Sequence, residues 1–211
     1  MQNMFPLQNN IKNIIFDLGG VILNIDYKLT AGAFKKLGLK DFDEKYSQAK
    51  QSRLFDKLET GEILAGEFRK ELKSHIGDTV SDEDLDAAWN AMLLDLPTER
   101  IELLKNLKNN YRLFLLSNTN AIHHKAYSDA MQITYGNADF SGVFEKQYLS
   151  FQLGLRKPNK EIFELVLNEK KLAASETLFI DDSIQHVEGA REAGLTVYHL
   201  QPGESILELF S

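Results

Sequence analysis

Asp17 closes an apolar run, residues 11–16, and is followed after Leu18 by two glycines, Gly19 and Gly20. A carboxylate at the end of a buried strand is poorly solvated by its own chain. Glycines beside it let backbone N–H groups come close to an oxyanion. That pairing suits a carboxylate nucleophile facing a phosphoryl group, the chemistry that yields an aspartyl-phosphate, although this segment alone also fits a turn cap. Asp181 and Asp182 follow a second apolar run, residues 177–180. If they share a crevice with Asp17, three carboxylates crowd together, and like charges at short range disfavour full ionisation. Positive charge must then be supplied. A hard, oxygen-seeking dication answers, and Mg²⁺, which takes one or two carboxylates plus substrate phosphate, fits best. Ser117 and Asn118, after residues 111–116, offer a hydroxyl and an amide to phosphate oxygens, or else a helix cap. Lys157, in Arg156-Lys157-Pro158, offers a point charge beside a helix start, where an anion is favoured.

These groups are far apart in the chain, so the elements carrying them must bring them together. Residues 11–16, 111–116, 177–180 and 195–200 read as short buried strands, and the first three run directly into the polar clusters just described. In a parallel sheet, ligands sit beyond the carboxyl ends of the strands. Helical patterns lie between the strands. One starts near Pro97 with the stripe Ile101, Leu104 and Leu107, and one at Pro158 with Ile162, Phe163, Val166 and Leu167; a third, residues 187–193, stops at Gly194. The alternation predicts an α/β fold, a Rossmann-like parallel sheet with helices on both faces.

Residues 28–94 break this rhythm and read as helices only: 30–37, 42–58, 64–73, and 85–94 after the cap-like Ser81-Asp82-Glu83-Asp84. They predict a small helical cap inserted after the first strand, with hinges at 24–27 and 95–98. The expected division is a core of residues 1–24 and 97–211 and a cap of residues 25–96.

The succession Ile-Ile-Phe-Asp-Leu-Gly-Gly-Val, Leu-Leu-Ser-Asn-Thr, Arg-Lys-Pro and Phe-Ile-Asp-Asp-Ser, with a helical insert after the first, resembles the haloacid dehalogenase superfamily from residue 14 to about 194. Within it the chain is similar to the bacterial α-D-glucose-1-phosphate phosphatases. The resemblance implies a phosphomonoester hydrolase acting on a small phosphorylated metabolite such as a sugar phosphate. Asp17 would be nucleophile and metal ligand, and the Gly19 carbonyl a second ligand. Asp181 and Asp182 would complete a Mg²⁺ site, Asp182 directly and Asp181 through water. Leu18, Gly19, Ser117, Asn118 and Lys157 would surround the phosphoryl group, with Lys157 also holding Asp17. The cap would close over the substrate.

Two departures shape the expected chemistry. Most phosphatases of the superfamily carry a second aspartate, an acid/base, where this chain has Gly19. Such help is worth ~10² to 10⁴ in rate, so a leaving group that is already a fairly stable anion is favoured. An anomeric hydroxyl is one, which points toward a sugar 1-phosphate. Asp26 is a candidate displaced acid, with a hinge cap the plainer expectation. Beyond the acidic pair stand Gln185 and His186, where family members often place Asp or Asn. His123 and His124 follow the second motif and could reach the pocket, with a helix surface the plainer expectation. Trp89, with Leu85, Met92 and Leu93 nearby, is expected in the cap core. Two other readings remain: a catalytically idle phosphate-binding or regulatory protein, and a 2-haloacid dehalogenase, which Asp181-Asp182 opposes because dehalogenases carry a Ser-Ser-Asn type motif there.

Composition sets the outer bounds. The 211 residues are 43% hydrophobic and 26% charged, enough for one core unit with an insertion. The absence of cysteine excludes disulfides, zinc fingers and thiol nucleophiles. Lys plus Arg number 24 against 31 Asp plus Glu, a net charge of −7, the wrong sign for nucleic-acid binding by counterion release. No leader pattern and no run near the ~18 residues of a membrane span is visible. A cytosolic location is therefore expected, without membrane partners; the sequence leaves the oligomeric state open.

Overall fold

Residues 10–39, 42, 53–137 and 139–210 are described by a computed structural model. Five strands form one parallel sheet: β1 (Asn13–Phe16), β2 (Arg112–Ser117), β3 (Lys146–Leu149), β4 (Thr177–Asp181) and β5 (Thr196–His199). Their order is β3-β2-β1-β4-β5, so β1 lies between β2 and β4. Phe16 pairs with Leu115 on one side and Ile180 on the other. That register sets Asp17 level with Asp181 and one step from Ser117. The chain reverses its direction of travel across the sheet at β1, the place where a parallel sheet opens a crevice.

Period-two alternation sorts the strand side chains onto two faces. Ile14, Phe16, Leu113, Leu115, Leu178 and Ile180 join one cluster, which α5 (Thr98–Leu107) and α6 (Ala121–Tyr135) cover with Ile101, Leu104, Tyr127 and Met131. Ile15, Phe114, Leu116 and Phe179 join the other, covered by Ile162, Phe163 and Val166 of α8 (Lys160–Lys170) and Ala190 of α9 (Ile184–Glu192). The expected α/β class is therefore found, with helices on both faces. β3 was not expected: it is an edge strand whose first half, Lys146 and Gln147, is polar and only half-buried, so no apolar run marks it. Pro97 and Asn159 cap α5 and α8 from just outside, rather than Pro97 and Pro158 opening them.

Between β1 and α5 stand α1 (Tyr27–Lys36), α2 (Arg53–Glu59), α3 (Ala65–Ile76) and α4 (Asp82–Asn90). They enclose a separate cluster of Phe34, Phe55, Leu58, Phe68, Leu72, Leu85, Trp89 and Met92. Trp89 is fully buried there, as its neighbours in the sequence suggest. Most of the expected helix 42–58 lies outside the described residues; only its end is seen, as part of α2. Ser81 accepts from the Asp84 N–H and caps α4, as its pattern suggests. α4 nevertheless stops at Asn90 rather than 94. Thr30 Oγ1 donates to the Trp89 carbonyl and accepts from the Met92 N–H, which uses up the helix end. Residues 92–95 then pair with 24–26 instead: Asp26 N–H to Met92 O, Leu94 N–H to Asn24 O, Asn24 N–H to Asp95 O. The two connections to the core are thus one short antiparallel ladder. None of the described helices is long and apolar enough to cross a membrane.

Gly189 shows how tightly the layers close over the site. A Cβ there would stand 2.1 Å from the Pro158 carbonyl oxygen, so α9 meets the loop bearing Lys157 backbone to backbone. We expect Gly189→Ala to cost about 1–3 kcal/mol by overpacking. Gly66→Ala, at a helical glycine with nothing within 4 Å, should cost nothing. Urea unfolding of the two variants beside the parent checks the contrast.

Candidate active site

A lysine rarely sits fully inside a protein, yet Lys157 does. Its ammonium lies 2.6 Å from Asp17 Oδ1 and 2.6 Å from Asp181 Oδ2, so groups 140 and 24 residues away in sequence close on one nitrogen. The lysine backbone is pinned from the β2 loop. Asn118 Nδ2 donates to the Lys157 carbonyl and Asn118 Oδ1 accepts from the Lys157 N–H, both at 2.9 Å. The same loop is held on its other side by Ser150, whose hydroxyl accepts from the Thr119 N–H and donates to the Thr119 carbonyl. Asn120, not Ser117 or Asn118, caps α6. Ser117 is buried at the end of β2 and faces the cavity.

Asp181 has further partners. Its Oδ1 accepts from the Ser183 N–H at 2.8 Å, and His186 Nδ1 lies 3.1 Å from both carboxylate oxygens. His186 thus stands beside the acidic pair where the family pattern raised a question, and Gln185 is exposed. Asp182 Oδ2 presses on Gly20: a Cβ there would meet it at 2.3 Å, and φ is +78°. The positive φ favours glycine at position 20, and a larger residue would also displace the Asp182 carboxylate.

The charges are out of balance. Asp17, Asp181 and Asp182 bring oxygens within 4.8 Å of one another, with one ammonium among them. Burial pushes the Asp17 carboxyl up to about 6, with the Asp181 charge adding to it and Lys157 opposing. Burial also works against Asp181, but Lys157 and His186 outweigh it and hold that group at about 2. Burial opposes the Lys157 ammonium too, and the two carboxylates together keep it above the ordinary lysine range. An all-oxygen donor set with excess negative charge, signalled by the raised proton affinity of Asp17, fits a hard dication. Mg²⁺ would be held by Asp17 and Asp182 with the Gly19 carbonyl nearby, Asp181 being occupied by Lys157, His186 and Ser183.

A cavity of about 90 Å³ opens over these groups. The core contributes Asp17, Leu18, Gly19, Leu23, Ser117, Asn118, Thr119, His123, Tyr127, Arg156, Asp182 and His186; the helical insert and its connections add Ile25, Tyr27, Glu59, Met92 and Leu93. All the residues picked out from the motifs lie around this space or, as with Lys157 and Asp181, directly beneath it. Asp26 does not line it and instead caps α1 by accepting from the Lys28 N–H. His123 is not on a helix surface. It is buried, stacked on Trp89 at 4.6 Å with its Nε2 3.1 Å from the Trp89 carbonyl, and burial lowers its pKa to about 4. The patterns of 121–135 and 82–90 are separately unremarkable, so only their docking reveals this. His124 is half-buried against Tyr127 and Phe151. Glu59 and Arg156 were also not singled out for binding.

Residues 11–194 match the family described as haloacid dehalogenase-like hydrolase. The D-ribitol-5-phosphate phosphatase of Bacteroides thetaiotaomicron is 34% identical over 193 residues, 92% of this chain and 93% of that protein. A crystal structure of a HAD family enzyme from the same organism, a mutant complexed with magnesium and inorganic phosphate, is 38% identical with a TM-score of 0.88, covering 95% of this chain and 99% of that one. A predicted HAD-like hydrolase from Porphyromonas gingivalis is 34% identical with a TM-score of 0.82, covering 92% and 93%.

Removing the ammonium strands two buried carboxylates, which costs about 3–5 kcal/mol. Lys157→Met is therefore expected to lower unfolding free energy by that amount at pH 8. The loss should shrink toward pH 5, because protonation of Asp17 through its value of about 6 removes one of the charges Lys157 screens. Urea titrations at the two pH values read the difference.

Proposed function

The chain belongs to the haloacid dehalogenase-like hydrolases, and from that membership we propose a Mg²⁺-dependent phosphomonoesterase that works through an aspartyl-phosphate on Asp17. The observation that carries the reading is the Lys157 ammonium bridging Asp17 and Asp181 at 2.6 Å beneath a small cavity edged by Ser117. The similar phosphatase and the similar structure with magnesium and phosphate support the reaction class. Residues 25–96 serve as the cap in this reading.

Each residue has a part. Lys157 occupies Asp17 Oδ1, which holds the carboxylate in one orientation and favours its ionised form. The other carboxylate oxygen attacks phosphorus, the bond from phosphorus to the ester oxygen breaks, and the alcohol leaves once it gains a proton. Water then attacks phosphorus, the bond to Asp17 breaks, and inorganic phosphate and the free carboxylate are regenerated. The Ser117 hydroxyl donates to a phosphoryl oxygen, and the N–H groups of Leu18 and Gly19 face another. Asn118 acts through Lys157, whose backbone it fixes. Mg²⁺ when bound supplies charge neutralisation between the carboxylate and the phosphoryl dianion.

The substrate is a small sugar or polyol monophosphate. The ribitol phosphate phosphatase favours a polyol ester, whereas Gly19, which removes the usual acid, favours an anomeric sugar 1-phosphate. Phosphate release from D-ribitol 5-phosphate, α-D-glucose 1-phosphate and hexose 6-phosphates separates the two. Turnover should vanish in EDTA and fall at least about 10³-fold in Asp17→Asn. Undiminished hydrolysis by Asp17→Asn sinks the nucleophile assignment. Tight Mg²⁺-dependent phosphate binding with no turnover on a broad panel would mark an idle binding protein instead.

A further inference from the structure

The cavity has two chemically different walls. The core wall handles an anion: Lys157 lies beneath it, Ser117 at its edge, and the acidic trio at its base. The opposite wall carries Glu59, at the end of α2. Apart from Asp17 and Asp182, Glu59 is the one carboxylate among the described lining residues, and it is buried. A buried carboxylate in a site built for phosphate is unfavourable unless something holds it there. Arg156 supplies the opposite charge: Nη2 forms an ion pair with Glu59 Oε2 at 3.0 Å, while Nη1 donates at 2.5 Å to Asp56 Oδ1 one turn back on the same helix. Arg156 itself lines the cavity beside Lys157, and its buried Nε has no hydrogen-bond partner among the described residues.

The placement of Glu59 is rigid as well as charged. The helix ends at a turn where Thr60 donates to the Asp56 carbonyl. Gly61 follows at φ +69°, so close to the core that a Cβ would stand 2.2 Å from the Phe151 carbonyl oxygen in α7 (Ser150–Leu153). α2 is therefore seated backbone against backbone on the core, directly beside the site. A fixed carboxylate accepts hydrogen bonds from neutral hydroxyls, and the guanidinium beside it donates to their oxygens. The same fixed charge in a partly dry cavity repels a second anion on the ligand.

We propose that Glu59, held by Arg156, is the specificity-determining residue: it receives hydroxyl groups of the leaving alcohol and rejects leaving groups that carry a second negative charge. The substrate class is a neutral polyhydroxylated alcohol bearing one phosphate. This rests on the phosphomonoesterase reading above.

The test measures kcat and KM with Mg²⁺ on three probes: D-ribitol 5-phosphate, 6-phosphogluconate, which adds a carboxylate, and p-nitrophenyl phosphate, which has no hydroxyl. For Glu59→Ala, KM for ribitol 5-phosphate should rise about tenfold or more relative to p-nitrophenyl phosphate, with kcat changing much less. Glu59→Gln, isosteric and retaining an acceptor, should recover part of that KM and improve kcat/KM for 6-phosphogluconate about tenfold. Asp56→Asn loosens the same guanidinium from its exposed side and should keep the parent ratio of the three activities. Parallel losses on all three probes, an unchanged 6-phosphogluconate rate in Glu59→Gln, or the same selectivity change in Asp56→Asn would each reduce Glu59 to a structural strut and overturn the proposal. The Gln variant keeps the test decisive if the Ala variant does not fold. Hydrolysis of p-nitrophenyl phosphate but not of the polyol ester by the parent protein defeats this inference alone. No hydrolysis of any phosphomonoester defeats the function reading, and this inference with it.

Discussion

An ammonium withdrawn from water is tolerated only where opposite charge is brought to it, and the burial of Lys157 sets that condition for the whole site. The chain meets it with Asp17 at the end of β1 and Asp181 at the end of β4. The two strands are neighbours, paired so that their last residues stand level. The lysine arrives from a third direction, on a loop that Asn118 at the end of β2 clasps by both its N–H and its carbonyl. Three adjacent strand ends thus converge on one nitrogen. Strand order, register and the short loops after each strand all serve that convergence.

One cation does not balance the carboxylates around it, and the surplus falls unevenly. Asp181 is secured by Lys157, His186 and the Ser183 N–H, and stays ionised down to about pH 2. Asp17 has Lys157 on one oxygen only and is pushed up to about 6. The same lysine therefore faces one carboxylate that is fully committed and one that retains a free, basic oxygen. On the proposed chemistry this is the distinction between an anchor and a nucleophile, and it arises from differing numbers of partners rather than from differing burial.

Much of this was legible in the chain because each contributing segment announces itself. The runs before Asp17, Ser117 and Asp181 are apolar and short, and each breaks into polar residues abruptly, as buried parallel strands must. β3 was silent because an edge strand can be half polar. The alternation of Ile14 and Phe16 against Ile15 matches the two faces actually covered. What stayed hidden were contacts between segments. Nothing local marks His123 as the stacking partner of Trp89, since a histidine in the first turn of a helix looks the same whether it meets solvent or another unit. Nothing local marks Glu59 or Arg156 for the site either, and only the approach of α2 to the core pairs the buried carboxylate with the half-buried guanidinium at the cavity. His186 likewise gains meaning from the turn after β4, which folds it back onto Asp181.

Position 19 shows how a local substitution and the hinge depend on each other. A side chain there would not enter open space: its Cβ would come within 3.1 Å of Ile25 Cδ1. Ile25 belongs to the first hinge and pairs with Leu93 of the second, so the methyl that fills this space is carried by the ladder joining the two units. Where the family resemblance leads one to expect an acid, this chain thus has a glycine with an apolar contact from Ile25 that also walls the cavity. Two consequences follow from the geometry. Position 19 itself can donate no proton to the leaving alcohol, which on the proposed chemistry favours esters whose alcohols part easily. And on the proposed reading of residues 25–96 as a cap, withdrawal of Ile25 with that cap would widen the space over Gly19 itself, which couples cap opening to exposure of the reacting carboxylate.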